Sequence, residues 1–413
     1  MTSVSKFALA MAVMIGGVST IAVAKDQQPA AQAAPAREYK LSKAERNAIA
    51  PLQTAVTAKD KTAALAALPA ARAAAQGPDA QYLVGQLLLR LGLDTSDLAL
   101  QRQAVDALIA TSGTPQADLP KLYMSQAALA SQAGDAKGAE AAMIRAVELN
   151  PNDPKTVISL AEAKVDAKKP GEAVGLISRA IDLSKAAGQA VPETWYKRAL
   201  SLALQSKMGP ESVKLSKELV AAYPNATNWR DALLVYRDTA ALDDAATLDL
   251  MRLMRAAKSL NGERDYYRFA SELKDGGLPG ESKAVLDEGV ATKMIDPAKS
   301  PFKEMIASNN AQVKGDKASL AALETKANAA ADGKLALSTA DAYYGYGEYA
   351  KAAALYRTAL QKGGLDANLV NTRLGAALAL AGQKAEAEAA LKAVQGPRAD
   401  LAAFWLTWLG QRA

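Results

Sequence analysis

The 413-residue sequence contains no cysteine and no histidine. Without cysteine there is no disulfide to staple the fold, and no thiolate to act as nucleophile or metal ligand. Without histidine, Ser-His-Asp and Cys-His nucleophile systems are excluded, and the commonest nitrogen ligand for zinc, copper and iron is missing. Catalysis would be left to carboxylate, Lys, Tyr or Arg chemistry. Aromatic residues make up only 5% of the chain, and no stretch sustains the period-two alternation of a half-buried strand. Lys and Arg number 49 against 43 Asp and Glu, interleaved to a net +6, which gives solubility rather than a nucleic-acid footprint. Metal-ligand spacings and phosphate-cradling glycine loops are also missing: Gly276-Gly277 and Gly363-Gly364 read as loop or helix-end signals, and Asp243-Asp244 as a helix start. The expectation is a chain with no enzymatic activity, no cofactor and no bound metal.

The N-terminus reads as a processing signal. Lys6 supplies a positive start, the apolar run from Phe7 to Val23 is broken by Gly16 and Gly17, and Ala22-Val23-Ala24 is a small-x-small cleavage site before Lys25. The run is at the short limit for a membrane-spanning helix. Cleavage after Ala24 and export to the periplasm follow, with no cysteine beyond the signal to carry a lipid anchor. Residues 25–40 are rich in Ala, Gln and Pro and read as a disordered leader.

The rest is dominated by Ala, Leu, Lys, Glu and Gln, the strong helix formers. Two stretches superimpose at a shift of 34 residues: Ala127, Gly134, Ala139, Met143, Ala146 and Leu149 answer to Ala161, Lys168, Ala173, Ile177, Ala180 and Leu183, failing only at the turn position. A fixed period of this length marks helical hairpins that cannot bury their apolar faces alone and stack into a solenoid. Apolar stripes and the Gly, Pro and Asn breaks between them predict ten helix pairs. They lie at about 44–75, 79–111, 118–149, 155–184, 192–222, 228–259, 263–291, 302–331, 335–361 and 367–394, before a terminal helix at about 399–411. In that helix Leu401, Phe404, Trp405, Trp408 and Leu409 share one stripe. It reads as a cap on the last hairpin, with a dimer or partner-docking helix as the alternative.

The third and fourth pairs resemble the tetratricopeptide repeat: small crossing residues Ala127, Ala139 and Ala146, a turn at Gly134-Asp135, and a break at Asn150-Pro151-Asn152. Two C-terminal pairs repeat the pattern at a 35-residue shift, with Gly347, Ala352, Tyr356 and Ala359 answering to Gly382, Ala387, Leu391 and Val394. The resemblance implies an all-α fold, a TPR-like α-solenoid: a right-handed superhelix of about ten hairpins with a C-terminal capping helix. It divides the mature chain into divergent hairpins at 41–117, TPR-like repeats at 118–225, divergent hairpins at 226–332, TPR-like repeats at 333–396 and the cap at 397–413.

In that family the first helices line a concave groove. Carried over residue by residue, its ligand-facing positions fall on Tyr196, Arg230, Arg237, Arg264, Tyr267, Lys274 and Tyr344, with Ser271 and Asp341 among them. Arg forks pair with carboxylates and stack on rings, so such a row suits an acidic segment of another protein. The same residues equally make a solvated, salt-bridged surface, because Asp231, Asp238, Asp243, Asp249, Glu263 and Asp265 lie close enough to neutralise much of it. Tyr343 and Tyr349 fall on packing positions of the family, leaving Tyr344 as the ligand candidate of its cluster. No Gly-Leu-Met-Gln-like run beside a Glu, which helical lytic transglycosylases require, occurs in the sequence.

The resemblance and the export signal together point to a periplasmic scaffold that holds a protein or peptide in its groove, in envelope assembly or export. It would bind no nucleic acid, have no membrane span after cleavage, and be a monomer or weak homo-oligomer. The alternative is a carbohydrate-binding accessory factor of cell-wall or exopolysaccharide metabolism, with tyrosines as stacking platforms.

Overall fold

The computed structural model describes residues 37–412. The predicted signal and the leader up to residue 36 lie outside the described residues. All regular structure among the described residues is helical, twenty α-helices and two short 3-10 turns. The chain divides into two compact units, the first ending at Pro151 and the second beginning at Asn152.

The first unit is three hairpins: α1 (Lys43–Thr57) with α2 (Lys61–Ala74), α3 (Pro78–Asp94) with α4 (Leu98–Ala110), and α5 (Leu119–Gln132) with α6 (Ala136–Leu149). Ile49, Leu52, Leu88, Leu91 and Leu108 are its largest fully buried side chains. Residues 37–40, read from composition as the end of a disordered leader, are held against it. Arg37 donates to Gly113 O at 2.8 Å and to Asp79 at 2.5 Å and lies 4.5 Å above the Tyr82 ring, while the Lys40 N–H donates to Asp79 at 2.8 Å. One guanidinium that both forks and stacks offsets the ordering entropy of those few residues.

The second unit comprises α7 (Pro154–Asp166), α8 (Pro170–Ala186), α9 (Glu193–Gln205), α10 (Gly209–Ala222), α11 (Ala226–Thr239), α12 (Asp244–Ala256), α13 (Gly262–Asp275), α14 (Pro279–Ala291), α15 (Phe302–Ala329), α16 (Lys334–Gly345), α17 (Tyr349–Lys362), α18 (Ala367–Leu380), α19 (Lys384–Lys392) and α20 (Ala399–Gly410). The alanines that carry the repeat are at the seams. Ala127, Ala139 and Ala146 in one hairpin and Ala161, Ala173 and Ala180 in the next are all buried, as close-crossing helices require.

Eight hairpins share one turn. Its residue is left-handed at Lys59, Ser96, Gly134, Lys168, Lys207, Gly277, Gly347 and Gly382. The N–H of the residue that follows closes onto the carbonyl five positions back, as in Asp135 N to Ala130 O and Lys169 N to Lys164 O, the 6→1 bond of a Schellman cap. The turn mismatch between Gly134 and Lys168 is therefore one of residue type and not of backbone.

Two predicted pairs differ. The eighth, at 302–331, is the single 28-residue helix α15. Gly315, its one glycine, takes helical backbone, because strong helix formers on both sides outweigh its cost of about 1 kcal/mol. The middle is also pinned from outside, with the Tyr346 hydroxyl donating to Asp316 at 2.5 Å and Asn309 donating to Ser282 Oγ at 2.8 Å. In the sixth pair α11 ends on an extended Ala240 instead of the shared turn, and α12 packs also against α18.

An open array lets each repeat touch only its neighbours. The second unit departs from this, since α20 packs on α10 as well as on α18 and α19. Phe404 and Trp405 are fully buried, with Phe404 5.8 Å from Tyr236 and 6.2 Å from Trp229 between ring centres. Lys217 pairs with Asp400 at 2.6 Å, the Trp408 indole donates to Ala256 O at 3.1 Å, and Gln411 donates to Val220 O at 2.7 Å. The terminal stripe thus covers more than the last hairpin.

Candidate interaction surface

The predicted ligand row is spread by the fold over three environments. Tyr196 and Tyr344 are core residues, 1% and 5% exposed, and are not ligand platforms. Tyr196 packs edge-on against Tyr223, and Tyr344 lies beneath the Arg252 guanidinium, 4.5 Å from its ring centre. Arg230 is spent internally on Asp265 and on Ser259 O, and Arg237 pairs with Asp238 at 2.8 Å. Arg268 and Arg255 are likewise taken, by Glu272 and Glu288, each at 2.7–2.8 Å.

What remains is α13. Its inner face is Tyr266, Phe269, Ala270 and Leu273, all buried at helical spacing. The opposite stripe carries Arg264, Tyr267, Ser271 and Lys274, and Arg264 and Lys274 have no carboxylate partner among the described residues. Tyr267 is 44% exposed, the most open aromatic ring of the second unit, and stands edge-on to the buried Phe302 at 6.4 Å. Glu263 and Asp265 sit in the first turn of the helix and Lys274 in the last, the arrangement its dipole favours. Gly277 ends it, with Leu278 N–H closing onto Leu273 O at 2.8 Å.

Asp341, a predicted ligand position, and Asp249, predicted on a solvated surface, are instead buried in one ionic cluster. Arg252 donates to Glu281 at 2.7–3.2 Å, to Asp249 at 3.3 Å and to Asp341 at 3.4 Å. Arg373 donates to Asp249 at 2.9 Å and Asp341 at 2.6 Å, Arg398 to Asp249 at 3.0 Å and Asp243 at 2.9 Å, and the Tyr356 hydroxyl to Asp341 at 2.6 Å. Burial by itself would lower the pKa of Arg252, but Glu281 and Asp341 outweigh it and hold the group well above its usual value. Three buried guanidiniums against three buried carboxylates leave no room for a cation, and no cluster of metal-ligating type occurs among the described residues. The cluster ties α12, α14, α16, α17 and α18 to the start of α20. Its one signal in the sequence is Arg373, a charge directly before the apolar stretch Leu374–Leu380.

No family model and no curated protein sequence matches the chain. Among solved structures, the chain is similar to a tetratricopeptide repeat protein from Parabacteroides merdae, at 12% identity and a TM-score of 0.31, covering 82% of this chain and all of that one. It is also similar to the MamA protein, at 13% identity, a TM-score of 0.26 and coverage of 60% and 92%. A third likeness is to the TPR2AB domain of yeast Sti1 in its pHSP90 complex, at 12% identity, a TM-score of 0.25 and coverage of 71% and 100%. The tetratricopeptide-like character rests on the chain's own hairpins, buried alanines and shared turn.

Proposed function

We propose that the protein is a non-enzymatic scaffold of the periplasm that takes an acidic segment of a partner protein along the exposed stripe of α13, in envelope assembly or export. The observation that carries this reading is the pair of unpartnered cations, Arg264 and Lys274, bracketing the exposed ring of Tyr267. Ten positions of helix separate the two charges, about 15 Å along the axis at 1.5 Å per residue, a span that an extended acidic segment of several residues covers. Arg supplies a bidentate fork and Tyr a low-entropy contact surface. Export is supported by Lys6, the apolar run after it and Ala22-Val23-Ala24. Among the described residues no helix is long and apolar enough to cross a membrane.

A photo-crosslinking side chain at position 267 of the mature protein should capture a partner in the envelope, with yield falling as salt rises. The double reversal Arg264→Glu with Lys274→Glu should abolish capture while leaving the helical circular dichroism unchanged. Undiminished capture by the double variant would discard the α13 surface. For location, the mature chain isolated from the periplasmic fraction should begin at Lys25, and a product that retains Met1 in the cytoplasm would overturn export.

A further inference from the structure

A cleft of about 400 Å³ opens in the first unit between α4, α5 and α6, within the size range of small-molecule sites. Its lining includes the small residues Ala130, Ala133, Gly138 and Ala142. Its rim is polar: Arg102, Asp106, Tyr123, Gln126, Asp135 and Arg145.

The rim is preorganised. The Gln126 amide donates to Asp106 at 2.7 Å, and Asp135 accepts the Gly138 N–H at 2.9 Å as the N-cap of α6. Arg145 pairs with Glu148 and stacks 5.9 Å from the centre of the Tyr123 ring. Arg102 makes a single long contact to Leu129 O at 3.4 Å, which leaves most of its donors unused.

Two guanidiniums, Arg102 and Arg145, meet Asp106 and Asp135 in the lining and Glu148 beside Arg145, so charges of both signs are interleaved and neither dominates the cleft. An acidic segment would meet Asp106 and Asp135, a basic one Arg102 and Arg145, and an apolar helix would desolvate all four. Acceptors, donors and an aromatic ring among small residues instead suit a neutral ligand whose every hydroxyl both donates and accepts, and which presents flat C–H faces. We propose that the α4–α6 cleft is a carbohydrate subsite for neutral sugar rings. It lies in a different unit from the α13 surface and stands or falls independently of it.

The test is a calorimetric titration of the mature protein with short oligomers of glucose and of N-acetylglucosamine, at about 50 mM and about 500 mM NaCl. One probe class should bind saturably with the same affinity at both salt concentrations. Tyr123→Ala and Asp106→Asn should each weaken it at least about tenfold, the loss expected for a hydrogen bond to a charged acceptor or a ring contact. Arg264→Glu, in the other unit, should leave it unchanged. Asp106 is exposed, so its variant keeps the test valid should Tyr123→Ala fail to fold. The subsite is overturned if neither probe binds by about 10 mM, the edge of measurable affinity. Affinity that both variants retain, or that falls with salt, overturns it equally.

Discussion

Lys168 and Gly134 occupy equivalent turns with φ of 60° and 77°. An L-residue in that region is strained by about 1–2 kcal/mol, part of which glycine returns as chain entropy in the unfolded state. Lys168→Gly is therefore expected to stabilise the protein by up to about 1 kcal/mol, and Gly134→Ala, with open space around it, to cost about 1 kcal/mol, both read from urea midpoints. Gly375 is needed for a different reason: a Cβ there would lie 2.4 Å from Leu391 Cγ where α18 crosses α19. Arg252 stands at the opposite extreme of burial. Arg252→Met leaves Glu281 and Asp341 short of positive charge in a dry core, and should destabilise by about 3–5 kcal/mol. A loss below about 1 kcal/mol, no more than for an exposed pair, would show that solvent reaches the cluster.

At the scale of elements, periodicity located nearly every helix, but the connection between helices depended on what packed against them. Nothing in the composition of α15 distinguished one long helix from a pair, since a lone glycine is a weak breaker and the restraints from Tyr346 and Ser282 arrive from segments about 30 residues away. The stripe of α20 was legible at its own spacing, whereas its partners were not. Trp405→Ala should cost about 3–5 kcal/mol, more than a cap touching only one hairpin would lose, because the indole is fully buried between α20 and distant helices. Thermal melts of the variant beside a chain ending at residue 398 should show similar losses. Full stability after truncation would mean that α20 is dispensable.

For the whole molecule, alkaline pH offers a global readout. Burial pushes the Tyr236 hydroxyl up to about 12, aided by Asp400, and holds Tyr344 and Tyr356 well above their usual 10.0. A folded pKa above the unfolded one means that the native state keeps its proton longer, so stability is complete below pH 10 and falls as pH rises through about 12. Phenolate absorbance should therefore lag behind a model tyrosine and then appear together with loss of helix. Early titration of all thirteen tyrosines without unfolding would contradict the buried assignment. The two compact units suggest a second measurement: fragments 37–151 and 152–413 should each melt cooperatively when expressed alone.

The sequence by itself determined the helical class, the hairpin period, the small residues at the crossings and the stripe of α20, because each depends on spacing along one or two helices and on the steric size of alanine and glycine. The family resemblance singled out Arg264, Tyr267 and Lys274, and their spacing of three and seven residues keeps them on one helix face. Only the tertiary structure decided which charges remain exposed. Arg230 and Arg252 look alike in sequence to Arg264, but whether a guanidinium meets a carboxylate 35 or 89 residues away is fixed by packing between helices, and no local pattern encodes it.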